Sequence, residues 1–137
     1  MTELEKAIGY KFSNTALLDE ALTHSSYVNG KSHSNERLEF LGDSVLSIVV
    51  SEHLFTHFKH LPEGELTKIR ASLVCEKALF EFSHKIQLGE FILLGKGEEK
   101  GGGRSRKSIL ADAFEALIAA VYLDSANTGD GRDAVRA

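Results

Sequence analysis

Asn35-Glu36-Arg37-Leu38-Glu39-Phe40-Leu41-Gly42-Asp43-Ser44-Val45-Leu46 opens the stretch whose pattern decides the fold. From about Ser34 to Lys59, Leu38, Leu41, Val45, Leu46, Val49 and Phe55 recur at helical spacing with no proline between them. The spacing predicts a long amphipathic helix ended by Pro62, the only proline of the chain. Glu36, Glu39 and Asp43 stand at i, i+3, i+7, within about 60° of one another on that helix. Stacked like charges repel by roughly a few tenths of a kcal/mol per exposed pair. A divalent cation is a good candidate to offset that. Gly42 costs a helix about 1 kcal/mol relative to alanine. Close approach of another backbone or of a ligand would explain it, and so would a harmless substitution.

Outward from this stretch the pattern stays helical. Ser13-Asn14 can cap a helix from Thr15 to His24, with Leu17, Leu18, Ala21 and Leu22 on one face. Glu63 to about Lys85 reads as one further helix built on Leu66, Ile69, Leu73, Leu79 and Phe82. Phe91-Ile92-Leu93-Leu94 is too short to classify. Gly95 to Ser108 is glycine-rich and polar and reads as a flexible loop. A last strong helix runs from about Lys107 to Asp124, and its alanine-rich Ala116-Leu117-Ile118-Ala119-Ala120 suggests a close-packed interior position. Asn127 to Gly131 reads as a turn, and Arg132 to Ala137 as the start of a helix. With no repeat and little strand signal, the fold class is all-α.

Composition narrows the class. The 137 residues predict one domain, and 42% hydrophobic with 26% charged residues excludes a disordered or collagen-like chain. No apolar run approaches the roughly 20 residues of a membrane span. Met1 to Phe12 lacks the basic-then-apolar order of a secretory signal, so a cytoplasmic location is the default. Cys75 stands alone, which excludes a disulfide or a cysteine-based zinc site within one chain, and it reads as packing filler. The net charge of -4 argues against nucleic-acid binding through bulk positive charge.

The carboxylates carry the chemistry. Asp112 and Glu115 form a second i, i+3 pair inside the apolar last helix, among Ile109, Leu110, Ala113, Phe114, Ala116 and Leu117. Two facing helices with paired acids offer oxygen ligands alone, which suits Mg²⁺ or Mn²⁺. Two such ions can promote phosphodiester hydrolysis. The bland alternative is an acidic face paired with Arg37 and nearby lysines. Glu39, Asp43, Asp112 and Glu115 account between them for the whole charge of -4, so the acidity itself reads as a metal site counted without its metal.

The stretch Asn35 to Leu46 closely resembles the signature of the ribonuclease III family of double-stranded-RNA endonucleases. Ala21-Leu22-Thr23-His24-Ser25-Ser26-Tyr27, Gly64 to Val74 and Lys107 to Ala120 resemble its other segments, in the family's order. The resemblance implies the ribonuclease III endonuclease-domain fold over residues 1–137, a helical bundle acting as a homodimer whose two sites cut opposite strands. It implies that Glu39, Asp43, Asp112 and Glu115 are the catalytic, Mg²⁺-binding acids, with Mn²⁺ able to substitute. Glu36 and Glu63 match accessory acids, and Phe40 matches an aromatic that packs into the partner subunit. The implied products carry a 5′-phosphate, a 3′-hydroxyl and a short 3′ overhang, as in rRNA and mRNA processing. Bacterial members usually carry a double-stranded-RNA-binding domain after the nuclease domain. None is found here, which suggests a truncated chain, with a natural short form as the alternative.

Other motifs are weaker. Gly101 to Ser108 approaches a phosphate-binding P-loop, but Arg106 replaces the glycine before the lysine, so no nucleotide cofactor is expected. The segment still holds Lys96, Lys100, Arg104, Arg106 and Lys107 against Glu98 and Glu99, and Arg104, Arg106 and Lys107 are candidate RNA contacts. A solvated loop is the equal alternative. His53, His57 and His60 share a helix face but lack the glutamate of a zinc-protease motif. Glu81 and His84 form a single Glu-x-x-His where a di-iron bundle needs two. Two rival functions fit less well: an all-α nucleoside-triphosphate pyrophosphohydrolase, and a non-catalytic RNA-binding domain of the same fold.

Overall fold

The computed structural model describes residues 1–27 and 34–126. Within them the chain forms α1 (Glu3–Ile8), α2 (Thr15–Leu22), α3 (Glu36–His57), α4 (Glu63–Val74), α5 (Glu76–Lys85), α6 (Lys96–Lys100) and α7 (Lys107–Ser125). The expected turn and helix start from Asn127 to Ala137 lie outside the described residues.

α7 is the centre of the bundle, with α3, α5 and α2 packed round it. Ala113, Ala116, Ala119 and Ala120 are fully buried, as the alanine run predicts, and they let the neighbouring helices approach closely. Leu18, Ala21, Leu38, Leu88, Ile92, Leu110 and Leu117 share the main core with them. The tightest crossing is α3 on α7. A Cβ at Gly42 would collide with the backbone carbonyl of Glu115, so the close-approach reading of this glycine holds.

Two buried carboxylates fasten the N-terminal segment. Glu5 closes a capping box with Thr2 and also accepts the Phe12 N–H at 2.7 Å. Asp124, at the end of α7, accepts the Tyr10 hydroxyl at 2.6 Å and the Ser13 and Asn14 N–H groups at 2.8 Å each. Asn14 then caps α2 through the Ala16 N–H, as expected. Strand structure among the described residues is a single parallel bridge, Thr23 to Leu93, which assigns the ambiguous Phe91–Leu94 run.

Several expectations need correction. The segment from Glu63 to Lys85 is two helices. Cys75 breaks it with an extended backbone (φ -74°, ψ 161°), which turns α5 so that Leu79 and Ser83 bury while α4 buries no residue at all. Cys75 is therefore exposed, a junction rather than core filler. On α3, Phe55, expected among the apolar face, is 75% exposed, because at about 100° per residue it lies roughly 100° round the helix from the buried Leu38, Val45 and Val49. Gly95 to Ser108 is not an open loop. It folds into α6 and a 3₁₀ turn, held by Arg104 and Arg106. Arg104 Nε donates to the Glu99 carboxylate, and its Nη1 donates to the carbonyls of Gly89 (2.8 Å) and Ile92 (2.9 Å). Arg106 pairs with Glu98 and donates to the Gly101 carbonyl. The charges were legible in the sequence, but their internal pairing was not. No helix among the described residues is long and apolar enough to cross a membrane.

Candidate metal centre

The α3–α7 crossing brings the acids together. Each of Glu39, Asp112 and Glu115 places one ligand atom within 4.8 Å of the other two. Glu36, Glu39, Asp43, Phe40 and Glu115 line an open cavity of about 400 Å³ over this cluster. Local sequence explains the arrangement. The i, i+3, i+7 stripe of α3 and the i, i+3 pair of α7 each present one face, and Gly42 lets those faces meet.

Electrostatics separates these acids from the other buried carboxylates. Burial raises the Glu115 carboxyl to about 8, helped by its hydrogen bond with Asp43 and by the charges of Asp43, Glu39 and Asp112. Burial raises Glu39 to about 7, with Asp112, Glu36 and Asp43 adding repulsion. Asp112 is also raised, chiefly by burial and against the hydrogen bond from Glu39, with Glu76 pushing it up and His24 drawing it down. Glu5 and Asp124 behave oppositely. N–H donors from Thr2 and Phe12 lower Glu5, and in Asp124 the donors Tyr10, Ser13 and Asn14 overcome a large burial penalty. Structural acids in this fold thus have donors, whereas the cluster acids face one another.

None of the four ion pairs among the described residues involves a cluster acid, so the acidic face is not paired with Arg37 or a lysine there. Carboxylate oxygens without competing N–H donors fit a hard divalent cation.

The remaining expected residues are spread more widely. Glu36 lines the cavity, and Phe40 stands at its edge, 80% exposed. Glu63 opens α4, exposed to solvent and outside that lining. Arg104 and Arg106 are engaged within the chain, and the Lys107 ammonium lies over the Phe80 ring at 5.6 Å. His53 and His57 stack with ring centroids 4.1 Å apart, and no third ligand joins them in a cluster among the described residues. Two further residues act on Asp112 that the sequence pattern does not single out, His24 and Glu76. Glu76 carries no signal in an unbroken helical pattern, since only the break at Cys75 makes it the first residue of α5. His24 lay in a quoted motif, but a lone histidine gives no spacing signal.

These features define an all-α domain whose two central helices close on an oxygen-only acidic cluster. Residues 14–130 match the family described as Ribonuclease-III-like. The chain is 58% identical to Ribonuclease 3 of Caldanaerobacter subterraneus over 99% of its own length and 59% of that protein's. It is 56% identical to Ribonuclease 3 of a Geobacillus species, over 97% of its length and 54% of that protein's. A solved nuclease domain of ribonuclease III from Campylobacter jejuni, described for structural flexibility in a region involved in dimer formation, superposes with a TM-score of 0.89 at 45% identity. The match covers 98% of this chain and 89% of that one. This chain belongs to the ribonuclease III family. It spans a little over half the length of these two full-length relatives.

Proposed function

We propose that the chain is a Mg²⁺-dependent endonuclease domain that hydrolyses double-stranded RNA. The observation that carries this reading is the convergence of Glu39, Asp112 and Glu115, with Asp43 beside Glu115 in the cavity lining, at a crossing that Gly42 makes possible. Family membership supplies the substrate class and sets aside the pyrophosphohydrolase alternative.

Glu39, Asp112 and Glu115 would hold the cation, and Asp43 and Glu36 would hold its water shell at the open side. Bound Mg²⁺ lowers the pKa of a coordinated water and stabilises charge on a leaving oxygen. The protein's part is to fix the carboxylates in place before the cation arrives. Their mutual repulsion, borne by the packing of α3 on α7, leaves them ready for a positive charge. Opposite the cavity, a neutral RNA face is not required, because the cation offsets the acids that would otherwise repel phosphates.

The active form is a homodimer. Phe40, Ile48, Phe55 and Leu73 are exposed by 80%, 51%, 75% and 36%, on α3 and on α4, the helix that buries none of its residues in the single chain. Phe40 sits beside the cavity, so a partner packed on it would border the site. In the basic segment, RNA contact falls to Lys107, because Arg104 and Arg106 build the scaffold beneath it.

The deciding experiment is cleavage of a duplex RNA with and without Mg²⁺, followed by analysis of product ends. Products with 5′-phosphate and 3′-hydroxyl ends that appear only with the cation are expected. Cleavage independent of a divalent cation, or hydrolysis of free nucleotides in place of RNA, would overturn the reading.

A further inference from the structure

His53 and His57 stand one turn apart near the end of α3, and the proposed chemistry uses neither. Both are exposed. Their rings stack with centroids 4.1 Å apart and 24° between the planes. Two side chains that could each point into water thus lie face to face.

The His57 ring is also fixed in its protonation pattern. Its Nδ1 lies 3.0 Å from the His53 carbonyl oxygen. A carbonyl can only accept, so Nδ1 carries the proton and Nε2 keeps its lone pair. Histidines that ligate metal ions commonly show this outer arrangement, with one ring N–H donated to a carbonyl or carboxylate and the other nitrogen left for the ion. The His53 ring has no hydrogen-bond partner among the described residues, so it too has a nitrogen to offer. His60 does not extend the pair. α3 ends at His57, and Phe58 has left the helical conformation (φ -121°, ψ 57°), which takes His60 off the common face.

The placement favours a cation. His57 is the last residue of α3, at the negative end of the helix dipole. Ten residues, or about 15 Å of helix, separate Asp43 from His53, so the pair is distinct from the acidic cluster. Phe55 and Ile48 lie about 140–180° round α3 from the two histidines, so a second copy packed on those apolar residues would leave the pair open.

The geometry points to a second metal site at the end of α3, in which His53 and His57 bind one divalent transition-metal ion, Zn²⁺ or Cu²⁺, through imidazole nitrogens while water completes its shell. Imidazole suits these ions, whereas Mg²⁺ prefers the oxygens of the acidic cluster. Two nitrogens each about 2.0–2.1 Å from one ion lie roughly 3 Å apart, a spacing that facing rings reach by small side-chain rotations. The bound ion links the last two turns of α3, the helix that carries Glu39 and Asp43.

The test titrates Zn²⁺ into the whole chain with Mg²⁺ present throughout, followed by nitrogen-15 NMR of the histidine rings, which reads each ring separately from the carboxylates. Before Zn²⁺ is added, His57 should show a proton on Nδ1. On titration, the His53 and His57 signals should move together and at lower Zn²⁺ than those of the exposed His60 and His84. Loss of an outer partner alone costs a metal site about 10-fold in affinity, so His53→Ala should raise the Zn²⁺ needed to shift the His57 ring by at least that factor. His57→Ala should do the same to His53, and His60→Ala should change neither. Circular dichroism of each variant checks that the helix is intact. Rings of His53 and His57 that respond no earlier than His60 and His84, unchanged affinity in a folded His53→Ala or His57→Ala, or an equal loss in His60→Ala, would overturn the inference and leave the proposed function untouched.

Discussion

The α-carbon of Gly42 rests against the backbone carbonyl of Glu115, so a helix-weakening residue on one element sets the position of an acid on the other. Two effects compete in Gly42→Ala. Helix propensity favours alanine by about 1 kcal/mol. Overpacking against a backbone carbonyl, which cannot rotate away, costs about 1–3 kcal/mol and can exceed that. The second should win. Denaturation should show a net loss of stability, and Mg²⁺ affinity should fall with it because α3 and α7 are forced apart. A variant more stable than the parent would show that the crossing has slack.

Glu115→Gln separates function from stability. It removes a carboxylate that burial and three neighbouring acids hold at about 8. Cleavage should be abolished and Mg²⁺ binding weakened with helix content intact. At pH 8 without metal, the melting temperature should rise, because a repelling charge has gone. Full nuclease activity in this variant would remove Glu115 from the site.

The same acids fix a pH dependence. Glu39 and Glu115 move from an ordinary 4.5 to about 7 and about 8 in the fold. Between about 4.5 and 8 the folded chain holds protons that the unfolded chain has released, so its metal-free stability falls as pH rises through that window. Asp124 and Glu5, held below their ordinary values, act in the opposite sense and only at lower pH: their stabilisation is full above the ordinary carboxylate range and is lost as pH falls through it. Mg²⁺ at 100 times its dissociation constant adds about 2.7 kcal/mol. Because binding displaces protons, its affinity should be tighter at pH 8 than at pH 6. Melting curves at both values, with and without Mg²⁺, check both slopes.

Legibility followed the range of each interaction. The stripe of Glu36, Glu39 and Asp43 and the pair of Asp112 and Glu115 were readable because helical spacing is local. Gly42 was readable as a close approach, though not its partner. The break at Cys75 was invisible, since Ala71 to Val74 runs into Glu76 with neither glycine nor proline, and the gain that drives the turn is the distant burial of Leu79 against the α7 side of the bundle. The fate of Arg104 was hidden for the same reason. Its acceptors, Gly89 and Ile92, are 15 and 12 residues away, beyond any local pattern.

Arg104→Ala should act on folding. It leaves two carbonyls and the Glu99 carboxylate without their donor. The hydrogen bonds to Gly89 and Ile92 are part-buried, and losing such charged-donor bonds costs about 1.5–3 kcal/mol. The exposed pairing with Glu99 adds little beyond that. Lys107→Ala should instead leave the melting temperature nearly unchanged while weakening duplex RNA binding and flattening its salt dependence by about one charge. Equal loss of stability in both variants would show that Lys107 is also structural.

The exposed apolar residues give the last prediction. Phe40 at 80% and Phe55 at 75% exposure leave more aromatic surface in water than a lone small domain ordinarily keeps. They lie on α3 with Ile48 between them, and Leu73 on α4 adds to the same unburied set. A second copy would bury this surface and would set Phe40 against the border of the cavity. Sedimentation at micromolar concentration should therefore show a dimer, and Phe55→Asp should shift it toward monomer, since a charge buried without a partner is strongly unfavourable. Phe40→Ala should weaken the dimer and reduce cleavage together, because that side chain lines the acidic cavity and would also lie under the second copy. A fully active monomer of the unmodified chain would separate the two and refute the shared role of Phe40.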